Sequence, residues 1–238
     1  MAALTTAGAK LIVVSLVALT ASCAPVTAQA AGRDADGSVF KDCSQCPEML
    51  PVAPSDFLMG DESLRTTQEQ PVHRVAIAYR FAYSREKVSV RDWKHCVLAG
   101  ACRNLVAVGT ASAEPVSWLS WVDVHQYLQW LSLETGVEYR LLSEAEWEYL
   151  ATRASSIAPG FRIDGLEWTS DCWHADYVGA PDDGSSWDAG GDCRYHVARG
   201  HRLGDEESSR TKRYRFLFNT TEVALSFRVA RTLAGTRP

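Results

Sequence analysis

The chain has 238 residues, 46% of them apolar, and a formal net charge of -5 at pH 7. That is enough chain to bury one sizeable core, and the mildly acidic balance argues against a general nucleic-acid binder. No run reaches the ~20 apolar residues that a membrane-spanning helix needs.

The start of the chain reads as an export leader. Lys10 is the only charged side chain before residue 31; an apolar run, Leu11–Leu19, follows it, and small residues then end in Ala28-Gln29-Ala30. A positive start, an apolar stretch and an A-x-A site predict a signal peptide over residues 1–30, cleaved after Ala30. The alternative is a lipid anchor at Cys23, although Thr20 stands where lipoprotein signals usually carry leucine. Either route predicts a periplasmic or secreted bacterial protein. Six cysteines lie beyond Cys23, an even count that suits disulfides in an oxidising compartment. Closeness in sequence suggests the pairs Cys43–Cys46, Cys96–Cys102 and Cys172–Cys193.

Residues 31–47 are small and polar and read as a linker ending in the C-x-x-C of Cys43 and Cys46. A redox or zinc role for that pair wants a following helix or a second matching pair; Pro47 and a strand pattern follow, so a structural disulfide is expected. Residues 48–60 alternate like a strand with a tight corner, and His73–Tyr83 like a second strand. Helices are predicted over 88–98, 121–134 and 144–153. Gly136 stops the second, and Ser143 with Glu146 forms a capping box for the third. Glu144, Glu146 and Glu148 read as capping and solvated-face residues, and Trp121, Trp130, Trp147 and Tyr149 as core. From Pro159 onward periodicity is weak until a strand pattern over 223–233. The fold class expected is α+β, with few helices, short antiparallel strands and long loops.

Several segments, in order, resemble the sulfatase-modifying-factor (formylglycine-generating enzyme) family. They are Phe57-Leu58-Met59-Gly60, Glu69-Gln70-Pro71-Val72-His73, Pro115-Val116 with Leu119-Ser120-Trp121, Tyr139-Arg140-Leu141-Leu142-Ser143-Glu144-Ala145-Glu146-Trp147-Glu148-Tyr149, Glu167-Trp168, Arg199-Gly200 and Ser226-Phe227-Arg228-Val229-Ala230-Arg231. The resemblance spans residues 48–235 and implies a C-type-lectin-like domain.

The resemblance also exposes departures. Oxidase members hold copper(I) on a cysteine pair just after an R-G-G-S segment; the corresponding positions are Asp205 and Arg210, and no cysteine follows Cys193. Carboxylate and guanidinium cannot replace two thiolates for a soft ion, so copper is not expected. The insert that supplies calcium oxygens in the family is short here, over residues 155–165, and leaves Asp164 and Glu167 as remnants of a calcium site that needs six to eight ligands. His196, His201 and Asp205 form a conceivable incidental site.

In the family fold, residues 199–219 line the face that holds substrate, and the variable proteins of diversity-generating retroelements bind ligands through the stretch corresponding to 200–226. The resemblance therefore implies a binding face including Arg202, Asp205, Glu206, Arg210, Arg213 and Tyr214, for an unknown protein or small ligand. The expected function is non-catalytic binding or assembly; the alternative is a periplasmic oxidase acting on a protein or peptide cysteine.

Overall fold

Three helices share one start signal. In the computed structural model, which describes residues 38–234 apart from 65, 106–112, 155–157, 159 and 203–209, each begins on a serine that forms a capping box with an acid three residues on. The pairs are Ser89–Asp92, Ser120–Asp123 and Ser143–Glu146. In each, the serine hydroxyl accepts an orphan helix N–H while the acid reaches back to the serine N–H.

The elements run β1 (Met49–Val52), β2 (Ser55–Met59), β3 (His73–Ile77), β4 (Phe81–Ser84), α1 (Val90–Leu98), α2 (Trp121–Thr135), α3 (Glu144–Thr152), β5 (Gly165–Trp173), β6 (Asp192–His201), β7 (Arg213–Leu217), β8 (Leu225–Ser226) and β9 (Ala230–Thr232). Gly136 ends α2 in the left-handed conformation, as its position predicts. They form three sheets, ordered β1-β4-β9, β2-β3 and β7-β6-β5-β8; all pairings are antiparallel except β5 with β8. The result is the expected α+β class, with short strands and long connections.

Two strand expectations change. The single strand over 73–83 is two, because β3 pairs with β2 while β4 crosses to β1 and β9. The weakly periodic stretch after Pro159 holds β5, β6 and β7, which belong to the largest sheet. Alternation is missing there because β5 is covered on both sides: Leu166, Glu167, Trp168, Thr169, Asp171, Cys172 and Trp173 are all buried.

One core packs α1 and α2 onto the large sheet, where Trp93 stacks on Tyr127 at 5.7 Å and the Trp168 indole donates to Leu119 O at 2.9 Å. A second packs α3 against β2, β3 and β4, with Trp147 and Tyr149 each 1% exposed. Trp121 and Trp130 are half-buried at the edge of the first. The three disulfides are Cys43–Cys46, Cys96–Cys102 and Cys172–Cys193. Residues 40–46 pack onto the domain: Phe40 and Cys46 are buried, and Asp42 takes an ion pair from Arg231 at 3.3 Å and a hydrogen bond from the Tyr139 hydroxyl. That end of the expected linker is part of the globule. Among the described residues no helix is long and apolar enough to cross a membrane.

Gly200 of β6 sits at φ +121°, and a Cβ there would lie 2.2 Å from Gly165 O. Gly200→Ala is expected to cost about 1–3 kcal/mol in strain, read from the urea midpoint. Gly190→Ala, at φ +77° with nothing within 4 Å, should cost less. Equal losses would refute the close-approach argument.

Candidate ligand-binding face and the charge network beneath it

Residues four apart on a helix share a face, and residues two apart do not. Glu144 and Glu148 therefore point one way from α3 and Glu146 the other. The expectation that these acids are solvated is corrected: Glu144 is 2% exposed, and Glu146 and Glu148 are 0%. Glu146 caps its helix and also takes a bidentate pair from Arg140 at 2.6 and 2.7 Å, plus the Tyr79 hydroxyl at 2.9 Å.

The other two acids face β6 and β7. Glu144 accepts from Arg199 Nη1 at 2.8 Å, from Arg213 Nε and Nη2 at 2.6 and 3.0 Å, and from the Tyr177 hydroxyl at 3.1 Å. Glu148 accepts from Arg199 Nη2 at 2.6 Å and from the Gly60 N–H at 2.7 Å. Burial works to raise Glu144, but Arg213 and Arg199 outweigh it and hold the carboxyl below its usual range. Glu148 has Arg199 alone, and burial leaves it above that range. Glu69 completes the network, accepting from the Arg213 N–H at 3.0 Å and from the Thr66 hydroxyl at 2.5 Å.

The expected binding residues divide. Arg213 is corrected from surface to interior: it is 2% exposed, donates to Gln68 O at 2.7 Å and His174 O at 3.1 Å, and stacks over Trp173 and Tyr177 at 4.7 and 4.5 Å. Four of its five guanidinium N–H donors are engaged inside the domain, so it is a structural residue rather than a surface one. Tyr214 is half-buried against the first core, with the Lys212 ammonium 5.3 Å from its ring centre. Arg202 and Arg210 are exposed, and the Arg210 carbonyl accepts from Arg199 Nη2 at 2.9 Å. Asp205 and Glu206 lie outside the described residues.

Asp164 and Glu167 are each engaged by cations of the chain. The exposed Asp164 carboxylate pairs with Arg162 at 3.0 Å. Buried Glu167 pairs with Arg228 and lies 3.6 Å from the Lys87 ammonium, which also donates to Asp164 O. Two guanidiniums, Arg162 and Arg228, and the Lys87 ammonium thus pair with the carboxylates read as calcium remnants. No cluster of three His, Cys, Asp or Glu side chains suited to a metal occurs among the described residues. His196 and His201 stand five apart on β6, an odd spacing that turns them to opposite faces. His196 is buried and stacks on Trp121 at 3.9 Å; His125 lies 3.6 Å from the same ring, and burial pulls it down to about 4.

Two exposed features escape sequence reasoning. Trp118 is 51% exposed with φ +63°, a conformation bulky residues rarely take. Arg215 lies over Trp173 at 5.9 Å and Tyr195 at 5.3 Å. The run of basic and aromatic residues through β7 was the signal for the second; nothing in the sequence marks the first.

Residues 35–162 match the model of the sulfatase-modifying factor enzyme 1-like domain. Among solved structures, the chain is similar to PvdO from Pseudomonas aeruginosa, at 30% identity and a TM-score of 0.69, covering 83% of this chain and 98% of that one. It is also similar in fold to Treponema denticola variable protein 1 (16% identity, TM-score 0.63, covering 82% of this chain and 98% of that one). A third fold neighbour is CarF (12% identity, TM-score 0.53, covering 79% and 99%). No curated protein matches the chain by sequence.

Beside this network Asp171 accepts the N–H groups of Glu144 at 2.6 Å and Trp187 at 2.9 Å. Burial first, and the Glu144 charge second, push its carboxyl up to about 7 against those two hydrogen bonds. A carboxyl raised in the folded state adds stability that is complete below its unfolded value of 3.8 and lost as pH rises to about 7. Wild-type stability relative to Asp171→Asn should therefore fall from about pH 4 to 7, with a slope approaching about 1.4 kcal/mol per unit. Urea denaturation across that range reads it, and parallel curves for the two proteins would refute it.

Proposed function

The chain belongs to the sulfatase-modifying factor enzyme 1-like family, and from that premise we propose that it is an exported binding or assembly protein that keeps the family scaffold without the family's copper oxidation. The observation that carries this reading is the state of its sulfur. Every cysteine from Cys43 to Cys193 is taken up in a disulfide. The positions corresponding to the copper-holding pair are Asp205 and Arg210. Copper(I) selects soft thiolate ligands, and a hard carboxylate with a cation does not fit it.

The acids of the Ser-Glu-Ala-Glu-Trp-Glu block support the same reading. Each is buried and paired with an arginine of the chain, which suits a structural role. Export is supported by the leader-like start and by three disulfides, which persist in oxidising compartments. The binding face runs over the exposed ends of the β6–β7 connection at Arg202 and Arg210, above the buried network.

The test is direct. The purified, oxidised protein, incubated aerobically with copper(I) and a cysteine-containing sulfatase-type peptide, is expected to yield no formylglycine by mass spectrometry. Turnover above a copper-only control would reject the reading in favour of a periplasmic oxidase.

A further inference from the structure

We propose that the outer edge of β7 is a strand-addition site for an extended partner segment, one that places an acidic residue beside Arg215 and an apolar residue two positions on, beside Leu217. This rests on the reading of the chain as a binding protein and adds the mode and chemistry of the partner.

β7 ends the order β7-β6-β5-β8, so among the described residues it has a sheet neighbour on one side only. The Phe218 N–H donates to Arg194 O at 2.9 Å. The alternation of antiparallel pairing then turns the main-chain groups of Phe216 and Tyr214 toward β6 and those of Arg215 and Leu217 away from it. At the ends of this edge the outward groups are used: the Arg213 N–H by Glu69, and Leu217 O by the Thr220 N–H at 3.0 Å. Between them, the N–H and C=O of Arg215 and the N–H of Leu217 form a short edge bounded on both sides, the kind of site a single added strand completes.

Side chains select the occupant. Arg215 is exposed, its guanidinium steadied by the Trp173 and Tyr195 rings, and it forms no ion pair among the described residues. Asp192, whose charge it feels, is engaged by Arg194 at 2.7 Å. A guanidinium covered on its ring face and open on its edge is a ready donor to a partner carboxylate. Beyond it, Leu217 and Phe218 are 44% and 39% exposed. The Trp121 N–H donates to Phe218 O at 2.9 Å, which brings the start of α2 alongside, flanked in sequence by the exposed Trp118 and Val122. The edge therefore runs from a cation to an apolar end.

A second copy of the chain is a poor occupant. Antiparallel self-pairing centred on Arg215 sets guanidinium opposite guanidinium, which is destabilising. The same charge serves as a guard against edge-to-edge aggregation, and a foreign acidic strand converts that guard into an attraction.

The probe is a blocked peptide, acetyl-TLVEVLT-amide, which sets a leucine two positions from the acid in either strand direction, titrated against the full oxidised chain by calorimetry. Saturable binding below about 1 mM is expected, with the lysine counterpart acetyl-TLVKVLT-amide about tenfold weaker. Arg215→Glu should reverse that order while leaving the melting temperature unchanged, since the side chain is exposed. Methylating alternate peptide amides should abolish binding in one phase of the alternation and spare it in the other. Absent binding, equal binding of both peptides, or indifference to methylation in both phases would overturn strand addition. If Arg215→Glu does not fold, the peptide comparisons alone decide. Failure here leaves the copper result untouched, so this proposal and the loss of oxidase chemistry fail separately.

Discussion

Two carboxylates on one face of α3 meet two guanidiniums from β6 and β7 in the interior of the domain. Glu144, Glu148, Arg199 and Arg213 are each at most 2% exposed, and their formal charges cancel. Removing such ions from water costs several kcal/mol apiece, and close pairing with further hydrogen bonds must offset it. Here the further bonds come from every neighbouring segment: Gly60 from the turn after β2, Glu69 and Gln68 from the following loop, and Tyr177 and His174 from the loop after β5. The network is where the irregular parts of the chain are fastened to the regular ones.

That arrangement also explains the odd carboxyl. Two arginines are already balanced by two glutamates, so Asp171, beside Glu144, has no cation of its own among the described residues. Burial and like charge move it toward its neutral form. Arg228, Glu167 and Lys87 form a second, smaller cluster in which a buried acid is again paired with cations of the chain, both of them at Oε1. Both clusters use residues of the family motifs, and in both their work is to hold elements together.

The helices were legible in the sequence because their signals are local: apolar spacing, a serine cap, Gly136 as a stop. The cysteine pairs were legible for the same reason, since each closes a short loop. The large sheet was not. Its strand β5 is buried on both faces, and β6 and β7 carry arginines whose partners lie far along the chain, as Arg199 and Arg213 do from Glu144. Without those partners in view, Glu144 and Glu148 read as solvated and Arg213 as a surface residue. The motifs include Glu144, Glu148 and Arg199, but periodicity had no means of showing that their charges were internal. The edge at Arg215 was visible only as an interleaving of basic and aromatic residues; which side of the strand was open depended on the register with β6.

The most direct test of this account is a double-mutant cycle on Glu148 and Arg199 by equilibrium unfolding. Glu148→Gln and Arg199→Met are each expected to cost about 3–5 kcal/mol. The double variant should recover part of that loss, with a coupling above about 1 kcal/mol. Single losses within about 0.5 kcal/mol of zero, or strict additivity, would contradict the claim that this buried pair fastens the fold.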